Sequence, residues 1–156
     1  MGKIDTRLTE LGITLPQPQK AKIAKILGYA MTGNLLMISG QLPQWEGDIR
    51  FKGKVGQEFS LAEGQEAARL SALNVLGQAY KALDGDLDRV RRVVKVNGFV
   101  NCTPDFDEVA QVVNGASELI IDVFGDAGHH ARVAVGATTM PFGVAVEIEA
   151  IMEVSP

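Results

Sequence analysis

VRRVVKVNGFVN, residues 90–101, is a valine-rich, β-branched run that reads as a strand, whose two-residue period divides it between two faces. The alternation places Val94, Val96, Gly98 and Val100 on one face and Val93, Lys95, Asn97, Phe99 and Asn101 on the other. Helical periodicity flanks this strand on both sides. Upstream, Ser60-Leu61-Ala62-Glu63 is a capping box that opens a helix reaching about Leu83. Leu70, Leu73, Leu76, Tyr80 and Leu83 form its apolar stripe, and Ala67, Ala68, Ala72 and Ala79 permit close approach to a sheet. Downstream, Asp105-Phe106-Asp107-Glu108 reads as a second capping box, before a helix carrying Phe106, Val109, Val113, Ala116, Ile120 and Val123 on one side and closed by Gly125. A strand between two long amphipathic helices is the centre of a helix-on-sheet layer.

Working outward, Ala131–Thr138 and Val144–Val154 read as two closing strands joined by Met140-Pro141-Phe142-Gly143. Toward the N-terminus, residues 23–31 and 35–39 flank Thr32-Gly33-Asn34 as a β-hairpin, and a third strand is expected around Ile49–Val55. Ile4, Leu8 and Leu11 lie at helical spacing before Gly12, a short helix, and the prolines of LPQPQ (15–19) keep the following segment extended. The order ββ(β)αβαββ predicts an α+β two-layer sandwich: a mixed, mainly antiparallel sheet with two long helices on one face, plus a short N-terminal helix. No linker divides the chain, so residues 1–156 are expected to form a single domain, with 1–20 an N-terminal extension. The uncovered sheet face is expected to mix Phe99, Val93 and Ile151 with Lys95, Asn97, Arg132 or its neighbours, Glu147 and Glu149. Such a face is a poor water-facing surface and predicts a homo-oligomer packed sheet to sheet.

Composition narrows the chemistry. Fifteen Lys and Arg stand against 19 Asp and Glu, a net charge of −4 that removes the broad field used by nonspecific nucleic-acid binders. A single cysteine, Cys102, excludes an internal disulfide and any multi-cysteine metal site. The N-terminal residues form neither a signal peptide nor a membrane span, so a cytoplasmic, reduced protein is expected. No P-loop, dinucleotide fingerprint or nucleophile elbow occurs. Adjacent His129 and His130 point oppositely on extended chain, a poor metal pair, and read as loop residues. Arg132 is the only charge between His130 and Glu147: an ion-pair partner or a fork for a carboxylate or phosphate. Glu147 and Glu149 share a strand face, solvated carboxylates or an acid/base pair.

Four elements occur together and in order: Ile38-Ser39-Gly40-Gln41-Leu42-Pro43; Lys95-Val96-Asn97-Gly98-Phe99-Val100; Ala131-Arg132-Val133-Ala134-Val135; and Pro141 with Val146-Glu147-Ile148-Glu149-Ala150-Ile151. Over residues 22–154 the chain resembles the Rid family, also called YjgF-like, the reactive-intermediate deaminases, as a divergent branch. The resemblance implies a chorismate-mutase-like fold, a homotrimer with sites between subunits, and hydrolysis of small carboxylate-bearing enamines or imines to 2-oxo acids and ammonia. It implies that Arg132 binds the carboxylate, that Ser39, Gly40, Phe99 and Asn114 line the pocket, that the Ala134 backbone places water, and that Glu147 transfers protons. No metal or organic cofactor is implied. The chain departs from the family pattern at Ile26 and Ala134, where deaminating members commonly carry tyrosine and cysteine. Two other readings remain, a noncatalytic metabolite-binding regulatory trimer and an endoribonuclease, the latter disfavoured by the net charge.

Overall fold

The Ser60 capping box forms as read: Ser60 Oγ accepts from the Glu63 amide at 3.2 Å and Glu63 Oε1 accepts from the Ser60 amide at 3.1 Å. It starts the long helix of a computed structural model that describes residues 1–156. The elements are α1 (Lys3–Glu10), β1 (Tyr29–Thr32), β2 (Leu35–Gln41), β3 (Gln44–Trp45), β4 (Asp48–Ile49), α2 (Leu61–Ala82), β5 (Val90–Asn101), α3 (Val109–Phe124), β6 (Ala131–Ala137) and β7 (Val146–Val154). Five strands make one sheet in the order β1-β2-β7-β5-β6, while β3 and β4 form a separate two-stranded ribbon. Pairing in the large sheet is antiparallel except between β5 and β6, which are parallel neighbours joined by α3. A parallel pair needs such a crossover, and the helix lies back upon the strands it connects.

Both long helices cover the same sheet face, α2 over β2 and β7 and α3 over β5 and β6, and they pack against one another. Leu36 and Ile38 from β2, Val96 and Val100 from β5, and Ile148, Ala150 and Met152 from β7 meet Leu73, Leu76, Val113 and Ile120 in the core. Gly98 lets α3 approach: a methyl there would stand 2.7 Å from Val113 Cγ1. Where the helices cross, a methyl on Gly115 would stand 2.8 Å from the backbone carbon of Gln65. The N-terminal extension joins the same core through Ile4 and Leu8. Its helix has no capping side chain of its own at Gly2; instead the Asp88 carboxylate accepts from the Lys3 and Ile4 amides at 2.7 and 2.8 Å. No helix is long and apolar enough to cross a membrane.

Four local expectations are corrected. The hairpin's first strand is only Tyr29–Thr32; over residues 23–28, Ile23 and Leu27 stay about three-quarters exposed and one bond, from the Ser39 amide to the Gly28 carbonyl, prolongs the pairing. Without a buried face the alternation there has nothing to hold it in register. The strand expected at Ile49–Val55 is broken by positive φ at Phe51 and Gly53, leaving isolated bridges at Lys52 and Val55. The box at Asp105 does not form, because residues 103–106 make a turn and α3 begins at Val109 without a side-chain cap. In β5, pairing skips Arg91 and Val94; these bulges turn Val93 into the core and leave Val94 36% exposed.

Candidate active site

Parity along the strands sorts the candidate residues onto two faces. In β6, Arg132 and Ala134 pair with Val96 and Gly98, residues of the helix-covered face. Glu147 on β7 pairs with Phe99 on β5, and both belong to the uncovered face. Of the two options for the uncovered face, Arg132 or its neighbours, the neighbours hold: the buried partners of Arg132 in register fix its side chain toward α3, while Val133 and Val135 take the outer face. Two strand spacings and three residues separate Arg132 from Glu147, roughly 14 Å along the sheet, with the sheet between their side chains. One chain does not bring them together.

The Arg132 cluster is built by α3. Nη1 donates to Asn114 Oδ1 at 2.7 Å and to Ser117 Oγ at 3.2 Å, and Nη2 donates to the Ala110 carbonyl at 3.2 Å. A guanidinium has five N–H donors, so these bonds leave Nε–H and one Nη2–H uncommitted, the donors of a two-pronged carboxylate contact. No carboxylate of the chain pairs with Arg132, which removes the ion-pair reading within one chain. β6 is an edge strand with one neighbour, so the outward backbone groups around Ala134 are open to ligand or water.

Behind Arg132 stands a group that the loop reading of the histidines missed. His130 Nδ1 lies 2.6 Å from the Gly128 carbonyl, and its Nε2 lies 2.9 Å from Ser117 Oγ. A carbonyl only accepts, so Nδ1 carries the proton and Nε2 accepts from the serine hydroxyl. Burial, with Arg132 and His129 adding repulsion, holds the imidazole below its ordinary range. The signal was present in the spacing: His130 lies two residues before Arg132, at the entry to β6, and Asn114 and Ser117 are three apart on a helix.

The second cluster lies at the β2 bulge. Pairing of β2 with β7 breaks between Ile38 and Gln41, which pushes Ser39 and Gly40 out of the ladder. Ser39 Oγ donates to the Leu27 carbonyl at 2.6 Å. A side chain at Gly40 would overlap the Glu147 carboxylate, so glycine is what allows that carboxyl to lie against the bulge. Burial, followed by the neighbouring Glu149 charge, raises the Glu147 carboxyl above the usual glutamate range. Asn97 Nδ2 donates to Glu149 Oε1 at 2.8 Å, whereas Asn97 Oδ1 is buried without a partner. Buried Asn74 ties α2 to β3 by donating to the Gln44 carbonyl at 2.7 Å.

Ile26 is 57% exposed and packs into neither cluster. Cys102 lies beside Gly136, farther along β6. No three His, Cys, Asp or Glu side chains converge as a metal site. A groove of about 680 Å³ between α1, residues 13–18 and the end of α2 carries none of the candidate residues.

Residues 5–153 match a family model described as "YjgF/chorismate_mutase-like, putative endoribonuclease". The chain belongs to the YjgF/chorismate mutase-like family. Protein TCP17 of Trypanosoma cruzi is 46% identical over 155 residues, 99% of this chain and 96% of that protein. The crystal structure of protein Atu1372 of Agrobacterium tumefaciens, of unknown function, is 48% identical, covers 97% of this chain and 92% of its own, and superposes with a TM-score of 0.90. A Shewanella oneidensis crystal structure, which also carries the endoribonuclease description, is 29% identical over 98% of this chain and 100% of its own, with a TM-score of 0.93. The YjgF-like fold accounts for the α+β layering; the roles of the two clusters rest on their chemistry.

Proposed function

We propose that the protein hydrolyses small enamine or imine intermediates bearing a carboxylate, giving 2-oxo acids and ammonia, at sites assembled between the subunits of a homotrimer. The observation that carries this reading is the Arg132 guanidinium, held by three bonds to α3 with two donors uncommitted at an open sheet edge. Those donors suit a carboxylate, and they fix its orientation as well as its position. The Glu147 carboxyl on the opposite face, raised by burial and by Glu149, suits proton transfer. Because the two groups face apart in one chain, a site using both needs the Arg132 of one subunit and the Ser39, Gly40, Phe99 and Glu147 of another.

The Glu147 carboxyl protonates the enamine on carbon, giving an iminium. Water then attacks the iminium carbon and loses a proton to the Glu147 carboxylate, leaving a neutral carbinolamine. Glu147 passes that proton to the nitrogen, and as the C–N bond breaks and ammonia leaves, the hydroxyl proton returns to the Glu147 carboxylate and the carbonyl forms. Arg132 keeps the substrate carboxylate fixed throughout, and the Ala134 backbone is the candidate for placing the water. The endoribonuclease description attached to relatives fits this chain less well, since the net charge is −4 and the sole buried-side histidine of the Arg132 cluster is committed to Ser117 and Gly128.

The test couples an amino-acid oxidase to the purified protein and traps the remaining imine with semicarbazide. Accelerated imine loss, abolished in Arg132→Ala, is expected. No acceleration with imines of several amino acids, together with ligand-induced thermal stabilisation, would favour the regulatory binding protein instead.

A further inference from the structure

We propose that Ser117 and His130 are positioning residues for Arg132, forming a relay that aims the guanidinium at the ligand carboxylate. The inference rests on the carboxylate-anchor reading and deepens it. Each bond in the relay has a fixed direction. The Gly128 carbonyl holds the His130 proton on Nδ1; Nε2 is thereby an acceptor; the Ser117 hydroxyl must turn its proton to Nε2; and its lone pairs are left facing Arg132 Nη1. Without the histidine the hydroxyl rotates freely and can present its proton to a guanidinium that has no acceptor. Ser117 is 8% exposed, so water does not take the histidine's place readily. Asn114 Oδ1 fixes the other Nη1 proton, and together these bonds set the plane in which Nε–H and the free Nη2–H point outward.

The charged groups around His130 are Arg132 and His129 on its own segment, Arg92 from β5 and Glu153 from β7 at the depression these elements share, and Lys95, paired with Ala131. Cations outnumber the single carboxylate, which agrees with the neutral, Nδ1-protonated ring the relay requires.

The experiment measures kcat and KM for the imine made from leucine by an amino-acid oxidase, and pyruvate binding by calorimetry. Ser117→Ala and His130→Leu are expected to raise KM and the pyruvate Kd about tenfold, the worth of one hydrogen bond to a charged group, with kcat within about twofold. Ser117→Thr and His130→Gln, which restore a hydroxyl and an acceptor, are expected to recover most of the affinity. Nitrogen-15 NMR of the folded protein adds a readout independent of turnover: an unprotonated Nε2 in the wild type, and a His130 pKa that rises in Arg132→Gln. Unchanged pyruvate affinity in both deletion variants, or a protonated Nε2 at neutral pH, overturns the relay while leaving the carboxylate anchor intact. A wild-type protein that neither binds pyruvate nor consumes the imine overturns the anchor, and the positioning role with it.

Discussion

At the scale of single residues, the Glu147 carboxyl makes the sharpest prediction. Its value lies above the ordinary glutamate range, first because of burial and then because of Glu149. Folding thus favours the protonated form, a contribution complete below the ordinary glutamate range and lost as pH rises through the elevated value. Glu147→Gln is expected to stabilise the protein at pH 8 by no more than about 1 kcal/mol, partial exposure screening the effect, and to change nothing near pH 3. Urea unfolding at the two pH values checks the sign. On the activity side, the same variant should lower kcat on the order of 10²- to 10⁴-fold if the carboxyl transfers the proton. Sequence made Arg132 and Glu147 visible because each is a charge in a small-residue or apolar strand. It did not show that they face apart, since the parity of a strand fixes which residues share a side but not which side the helices cover. Ser117 and His130 escaped because a serine on a helix and a histidine near a turn have many bland explanations until their atoms are seen 2.9 Å apart.

Elements whose signals are local and redundant were legible. α2 has a capping box, an apolar stripe and alanines at the crossing, three cues that agree, and it forms as read. The hairpin, marked also by the Thr32-Gly33-Asn34 turn, forms at Tyr29–Thr32, whereas its outer part, residues 23–28, and the strand expected at Ile49–Val55 rested on alternation alone, and each failed where backbone geometry or the lack of a buried face intervened. The β5 bulges have no sequence mark, so Val93 and Val94 exchanged faces. The helix crossing at Gly115 is a strict test of packing: Gly115→Ala must push α3 from the Gln65 backbone and is expected to cost about 1–3 kcal/mol in denaturant unfolding. α1 tests a different linkage. Its first amides rest on Asp88, residues distant in sequence, so Asp88→Ala should cost about 1 kcal/mol, in line with loss of an N-cap, and should selectively speed hydrogen exchange in residues 3–11. Uniform exchange across the chain would refute that assignment.

For the whole molecule, the uncovered sheet face carries Val133 and Val135, 46% and 41% exposed, Met37 at 41%, and half-buried Phe99 and Ile151 around the Asn97–Glu149 pair. Covering such a face is the role assigned to the proposed homotrimer, and light scattering is expected to give three times the 16.7 kDa chain mass. Placement of Arg132 on one side of the sheet and Glu147 on the other has a genetic consequence. Two dead proteins should make a living one. If Arg132→Ala and Glu147→Gln chains are co-expressed in equal amounts and assemble at random, each junction between neighbours joins an intact arginine to an intact glutamate in about one case in four. Up to about a quarter of the native rate would then return from subunits that are each inert alone, whereas a site contained within one chain would stay silent in every mixture.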